Sequence, residues 1–491
     1  MRRIAEWPLL VLGAGAILGV CAFQLWITPS NPPGYHRDEA SISFNAYSIG
    51  QTLRDEDGNL LPLFFRSFDD YKSPLYPYLL AGVFKLTGPS SGAARSFSAV
   101  LVLTAVLLLG VLAKRLSGDN VVAVLVVLLA GLTPWLFELG RVALEAATQP
   151  LLVVATLLVL HRSTERWREW EGCVVGALLG LLTYSYTGSR LLGPLLAAAL
   201  VVFAGRGRWR WLLGAWGTFV AFLLPLGVYA LRHPGALTSR YEATTIAREG
   251  LSGPRLVLQA VANWFHDIDP WHWSFAGDPA PYISNGGYGA VFGAVVALAL
   301  AGIVAVLVRH RHDLWWRYVL LATVLVPVPA ALTVDRHNAL RLASLPVFVL
   351  VLAIPALTVL MAVVRRGWAA RLVAAALALT VALQFSQFLD AYRTRGPARV
   401  VLFDAGLEPL LERPFAAGDR IYVDYDDRGA QAQALWHAVE RGLSQDRVSI
   451  LPDGGIPPEG ATVFGRFQEC DYACEKFATW DGYWLARARP A

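Results

Sequence analysis

The chain has 491 residues, of which 55% are hydrophobic and only 16% charged, against about 25% charged in an ordinary soluble protein. With a mean hydropathy of +0.46 and four cysteines, this excludes a disordered chain, a disulfide scaffold and a typical soluble enzyme, and leaves a polytopic helical membrane protein. The formal net charge of +5 would point to nucleic acid in a soluble chain. Here the arginines sit in short clusters between apolar runs, as membrane topology demands, and no nucleic-acid partner is expected.

A bilayer crossing takes roughly 20 apolar residues. Eleven runs of that kind lie near 7–27, 93–113, 120–138, 146–161, 172–188, 191–205, 211–231, 287–308, 317–334, 343–364 and 367–387. The first reads as a span, not a signal peptide, because Ala22-Phe23-Gln24 makes a poor cleavage site. Counting eleven crossings puts Arg2/Arg3, Lys114/Arg115, Arg162/Arg166/Arg168, Arg206/Arg208/Arg210, Arg309/Arg311/Arg317 and Arg365/Arg366/Arg371 on one side. The positive-inside rule makes that side cytoplasmic. A twelfth span at the short apolar stretch Pro74–Leu86 would flip every later cluster, so this stretch is placed in the outer interface. The expected division is a membrane domain over 1–387 and an extracytoplasmic domain over 388–491. Outer loops of the membrane domain span 28–92 and 232–286. The inner connections are short. Chemistry is therefore expected outside, on a substrate that arrives on a carrier, in a protein of the plasma (inner) membrane with its N-terminus in the cytoplasm.

The first outer loop is the richest segment. Pro32-Pro33-Gly34 stops the first span, and Ile42, Ala46, Ile49 and Leu53 then recur at helical spacing. Asp38 and Glu39 fall in the first turn of that amphipathic helix, where the dipole favours anions. Neighbours on a helix diverge by about 100°, so one acid can face a reaction while the other braces the loop. Simple helix capping would account for Asp38 equally well. Further on, Asp69, Asp70 and Lys72 stand at the lip of the bilayer. Carboxylates there suit a hard cation and a lysine suits phosphate; a solvated turn is the plainer reading.

These segments resemble the GT-C glycosyltransferases, in the branch of the protein O-mannosyltransferases and the lipid A aminoarabinose transferases. The acidic pair Asp38-Glu39 and the motif Asp70-Tyr71-Lys72-Ser73-Pro74 carry the likeness first. SGAARSFSAV, PWLFELGRVALEAATQP with Glu145, TYSYTGSRLLGPLL with Arg190, the long-loop segment NWFHDIDPWHW and LTVDRHNALRLASLP with His337 and Arg341 continue it in order over roughly 1–365. One departure is the doubled acid Asp69-Asp70 where the family motif has one. The resemblance implies a GT-C fold and an inverting transferase. Its donor would be a sugar on a polyprenyl phosphate, and its acceptor a protein, lipid or glycan.

On that reading Asp38, with Glu39, supplies the catalytic carboxylate, and Lys72, Arg190, His337 and Arg341 bind the donor phosphate. Neither Lys72 nor Arg341 has an acid assigned to it by the sequence. Asp70 and Glu145 are the candidate ligands of a divalent metal, Mg²⁺ or Mn²⁺, since all their donors are oxygens. Glu145 pairing with Arg141 one turn earlier is the alternative. His266, Asp267, Asp269 and His272 make a poor metal cluster because Pro270 interrupts the helix their spacing needs. The aromatics Trp264, Phe265, Trp271, Trp273, Phe275, Tyr282 and Tyr288 read either as an interfacial belt or as a wall for lipid or acceptor.

The tail reads as a small α/β domain. Strands are expected at RIYVDYD, VSIL and TVFGRF, with a helix at AQAQALWHAVERG. Cys470 and Cys474 have the spacing for a disulfide across one helical turn, with two free thiols the alternative. No catalytic constellation is visible there, and acceptor or partner recognition is the expected role. A non-catalytic transporter or flippase of lipid-linked sugars is the competing function. It would need polar groups near mid-span, whereas the acids here gather at the outer edge.

Overall fold

The computed structural model describes residues 7–26, 31–67, 70–364, 366–466 and 473–489. The chain forms two compact units. A helical unit takes the chain up to Trp26, Ser98–Arg141 and Glu145–Tyr392. A loop–tail unit takes the first loop up to Phe97, the three residues Val142–Leu144, and the chain from Arg393 onward.

All eleven apolar runs are helical through most of their length. By length and composition, however, six helices among the described residues suffice to cross a membrane: Ser91–Ser117, Glu145–Arg166, Trp209–Arg232, Leu314–Ala331, Leu345–Val364 and Trp368–Ala398. Four more are apolar but shorter, and Glu169–Thr183 has 15 residues. The helices themselves therefore do not establish eleven crossings. The shortening has local causes. Pro134 starts a new helix directly after Asn120–Leu132, and Ser189–Ala199 tightens into a 3-10 turn over Leu200–Phe203.

Glycines let these helices approach closely. Gly172, Gly176 and Gly180 form one ridge on Glu169–Thr183, and a Cβ on each would collide with Trp211, Ala215 and Phe222 of Trp209–Arg232. The far side of Trp209–Arg232 and most of Trp368–Thr394 leave their apolar side chains exposed, Leu224, Leu231, Leu372 and Leu379 among them. Such continuous apolar faces call for hydrocarbon or a partner, not water.

In the loop–tail unit the helix Arg37–Thr52 buries Ile42, Ala46 and Ile49 as the spacing predicts, while Leu53 becomes a left-handed, half-exposed C-cap. A hairpin follows, with β1 (Phe65–Ser67) antiparallel to β2 (Asp70–Lys72). The Ser41 and Ser67 hydroxyls join β1 to the helix at 2.8 Å. The stretch placed in the interface is a helix of 13 residues, Leu75–Thr87.

The tail contains the expected strands β3 (Ile421–Val423), β4 (Val448–Ile450) and β5 (Thr462–Arg466), and the helix Arg428–Glu440. It adds β6 (Cys474–Trp480) and β7 (Tyr483–Ala488), which the sequence reading missed. The sheet order is β4-β3-β5-β7-β6, parallel at the β3 end and antiparallel at the β7 end. Cys474 opens β6; Cys470 lies outside the described residues.

Candidate active site

The helix Arg37–Thr52 starts on an unusual cap. His36 stands where Ser, Thr, Asp or Asn is usual. Its Nδ1 accepts the Asp38 amide at 3.1 Å, while its own amide donates to Glu39 Oε2 at 3.1 Å, closing a capping box. Burial pushes the His36 imidazole down to about 4 against the pull of Asp38. The ring is therefore neutral near pH 7 and keeps the Nδ1 lone pair the cap requires.

The two acids have separate fates. Glu39 is fully buried. Its Oε1 accepts Arg95 Nε at 2.9 Å and the Ala143 amide at 2.8 Å. Its Oε2 accepts Arg95 Nη2 at 2.8 Å beside the His36 amide. All four acceptor positions of the carboxylate are thus used. Arg95 also donates Nη1 to the Pro32 carbonyl at 2.9 Å, so this buried fork ties three chain segments together. Arg95 belongs to SGAARSFSAV, but the sequence reading gave it no role. The available signal was an arginine near the start of a long apolar helix, where a charge needs a buried partner.

Asp38 keeps 31% of its side chain exposed. Its Oδ1 lies 3.4 Å from Lys72 Nζ at the end of β2. Burial alone would raise this carboxyl, but the Lys72 ammonium, helped by His36 and Arg37, holds it down at about 2. The site therefore presents a partly exposed carboxylate, ionised near pH 7, beside an ammonium. The sequence left Lys72 without an acid partner; the structure pairs it with Asp38. Asp69 lies outside the described residues, as does the side chain of Asp70.

The tail supports this loop from within the same unit. Gln433 Nε2 donates to the Tyr35 carbonyl at 2.8 Å and to Asp404 Oδ2 at 2.9 Å. Trp436 stacks on Tyr35 at 5.6 Å and donates to Ser91 Oγ at 3.0 Å. Arg399 donates to Asn31 Oδ1 at 2.7 Å, and Arg428 pairs with Asp57 at 3.0 Å. Gly34, at φ +66°, lies against the backbone of Phe403 and Ala405, where no Cβ fits. The tail, read from sequence as a recognition appendage, is structurally part of the acidic loop.

The remaining candidates lie in the helical unit. Arg190, half-buried, donates to the Leu237 carbonyl at 3.3 Å. Arg341 is paired with Asp335 at 2.8 Å and donates to Thr333, so its charge too is compensated, contrary to expectation. His337 sits at φ +53°, its amide held by Asp267 Oδ1 at 2.9 Å and its ring stacked on His272 at 3.4 Å. Burial and the adjacent His272 lower His337 to about 4, which makes it a neutral hydrogen-bonding group near pH 7, not a cation for phosphate.

Glu145 opens the buried 3-10 turn Glu145–Thr148. Arg141 stacks over Phe137 at 4.0 Å and donates to the carbonyl of Gln24. A buried acid the sequence reading passed over, Glu138, accepts from Asn285 and from Tyr288 OH. Among the described residues no group of three His, Cys, Asp or Glu stands close enough to hold a metal ion. Asp70 and Glu145 belong to different units. The long-loop aromatics divide. Trp273 and Tyr288 are buried, and Trp273 stacks on Trp135 at 4.2 Å. Phe265, Trp271 and Phe275 are exposed.

Residues 71–229 match the family model of the dolichyl-phosphate-mannose-protein mannosyltransferases. That segment contains Lys72, Arg95, Glu145 and Arg190 but not Asp38 or Glu39. No curated protein sequence matches the chain. Among solved structures, ArnT from Cupriavidus metallidurans in the apo state superposes with a TM-score of 0.60 at 13% identity, over 98% of both chains. The same protein bound to undecaprenyl phosphate gives 0.62 at 11% identity, again over 98% of both. An Archaeoglobus fulgidus oligosaccharyltransferase gives 0.54 at 12% identity, over 92% of this chain and 68% of that one. The likeness read from the loop motifs is thus met by a family model over part of the chain and by a shared fold over nearly all of it.

Proposed function

We propose that the protein is an integral membrane glycosyltransferase. It moves a sugar from a polyprenyl-phosphate carrier to a hydroxyl of a protein, lipid or envelope glycan at the extracytoplasmic face, with inversion at the anomeric carbon. The observation that carries this reading is the division between the two neighbouring acids. Glu39 is consumed by Arg95, His36 and Ala143, which fixes the helix end. Asp38 is left open and ionised beside Lys72. The fold supports it, since ArnT with that fold binds undecaprenyl phosphate. So does the family model, whose name specifies a dolichyl-phosphate sugar.

In the proposed step the acceptor oxygen bonds to the anomeric carbon on the face opposite the phosphate. The carbon–oxygen bond to phosphate breaks with its electron pair on the departing lipid phosphate, and the acceptor proton passes to Asp38. A carboxylate held at about 2 is a weak base. It suffices because the acceptor oxygen grows strongly acidic as its bond to carbon forms, so the proton transfers late. Lys72 turning toward the leaving phosphate meets its charge and at the same time removes the cation that depresses Asp38. Arg190 and Arg341 are proposed as further phosphate contacts, Arg341 by exchanging Asp335 for phosphate, and His337 as a neutral donor. A divalent ion on Asp70 and Glu145 is a separable part of the proposal. EDTA should slow transfer and Mg²⁺ or Mn²⁺ restore it; full turnover by metal-free protein would leave the phosphate charge to Lys72 and the arginines.

The test is mass spectrometry of envelope glycans, lipids and glycoproteins from cells with and without the protein. It is followed by reconstitution with the implicated polyprenyl-phosphate sugar. A new glycosidic bond made by the parent and not by Asp38→Asn is expected. Movement of the lipid-linked sugar across the vesicle bilayer with no new bond would make the protein a flippase.

A further inference from the structure

At the other end of one candidate span the chain builds a mixed-charge hollow that the proposed reaction does not use. It lies where Glu145–Arg166 ends and Glu169–Thr183 begins, and it is lined by Arg162, Glu165, Arg166, Arg168 and Glu171. Glu171 is the unusual member. Its side chain is 2% exposed. Arg162 Nε meets its Oε1 at 3.1 Å, while its Oε2 is buried with no hydrogen-bond partner among the described residues. A half-satisfied buried carboxylate is costly, and the backbone that carries it is closely packed. The next residue, Gly172, is pressed against the Trp211 carbonyl. Two tryptophans flank the hollow, Trp170 under the Arg162 guanidinium at 5.5 Å and Trp167 under that of Arg208 at 5.4 Å. This is the setting of an interfacial belt, at headgroup depth.

We infer that this hollow binds a headgroup carrying both a phosphate and a primary ammonium, namely that of a phosphatidylethanolamine-type lipid, with the arginines on the phosphate and Glu171 Oε2 accepting from the ammonium. Three arginines suit a phosphate, yet a plain anion would also face Glu171 and Glu165. A choline headgroup has the cation but no N–H to give Oε2. A glycerol headgroup has no cation. Of the three, only the ethanolamine type offers both a phosphate to the arginines and an N–H to Oε2, and its acyl chains would lie along the apolar helix surfaces.

The test uses the purified full-length protein. Native mass spectrometry would follow titration with phosphatidylethanolamine, phosphatidylcholine and phosphatidylglycerol of identical acyl chains, and with soluble phosphoethanolamine. A charge-assisted hydrogen bond corresponds to about tenfold or more in affinity, so the ethanolamine lipid should bind about tenfold more tightly than either other lipid. Glu171→Gln should erase that preference, and Arg168→Ala should weaken the binding of all three lipids. Soluble phosphoethanolamine binding as well as the lipid would identify a solute as the source of the same chemistry; much weaker binding identifies the membrane. Equal binding of ethanolamine and choline lipids by the parent overturns the inference without any variant having to fold. So does preference for the glycerol lipid, or an unchanged preference in Glu171→Gln.

Discussion

At the scale of single residues, adjacent side chains in one helical turn do opposite work because their partners differ. Asp38→Asn removes the open carboxylate and with it the charge partner of Lys72. Turnover should fall by about 10²–10⁴-fold with the fold and donor binding retained, and single-turnover kinetics beside a donor-binding assay would show it. Lys72→Ala has two expected effects. Donor affinity should drop about tenfold or more, the worth of a charge-assisted contact. Asp38, released from its ammonium and still partly buried, should titrate at least about one unit higher. The acid limb of the kcat/KM profile, which reports the free enzyme, should therefore move up from near 2; an unmoved limb would mean that another group governs it. His36 supplies a stability signature. Its folded value, about 4, lies below the ordinary 6.5, so the unfolded chain takes up its proton first. Its contribution is complete above about pH 6.5 and is lost as pH falls toward 4. His36→Asn keeps a good N-cap acceptor and removes the titration. The melting temperature of the parent minus that of the variant should fall as pH drops across that window.

At the scale of elements, the acidic helix is held by one buried ion pair and one backbone approach. Breaking a buried pair on one side strands the other charge, at about 3–5 kcal/mol. Glu39→Gln should cost that much through Arg95, and Glu39→Gln with Arg95→Gln should cost less than the sum of the singles. Equal and additive losses in denaturant melts would deny the coupling. Gly34 is constrained twice, by its left-handed backbone and by the Phe403–Ala405 backbone against it. Gly34→Ala should destabilise by more than about 1 kcal/mol and make the tail the first segment cut in limited proteolysis.

At the scale of the whole molecule, the loop and tail contacts within one unit require both segments to lie on the same side of any membrane the chain spans. The Arg428–Asp57 pair and the Gln433–Tyr35 bond both cross between them. In a background lacking Cys21 and Cys173, the free thiols among the described residues, and with Cys474 disulfide-bonded, cysteines placed at Leu60 and Asp453 should label together from the outer face, and one at Arg311 only from within. Labelling of Leu60 and Asp453 from opposite faces would break both the unit and the proposed site.

The sequence by itself determined what local patterning can express. Long apolar runs, alternating basic clusters and the 3.6-residue spacing after Pro33 are written in neighbouring residues, so the helices, the membrane character and the start of the acidic helix were legible, as was the acid-and-lysine motif. Length and charge could not say how many runs cross. Helix ends at Pro134, and at the 3-10 turn after Ala199, depend on local breaks inside otherwise apolar stretches. Which of Asp38 and Glu39 is open was decided only in three dimensions, because the partners that consume Glu39 are 56 and 104 residues away along the chain. The compensation of Lys72 by Asp38, and the fusion of the tail with the first loop across separations of up to 398 residues, are likewise tertiary facts. A side chain's residual charge depends on whatever the fold brings to it, and no local pattern records that.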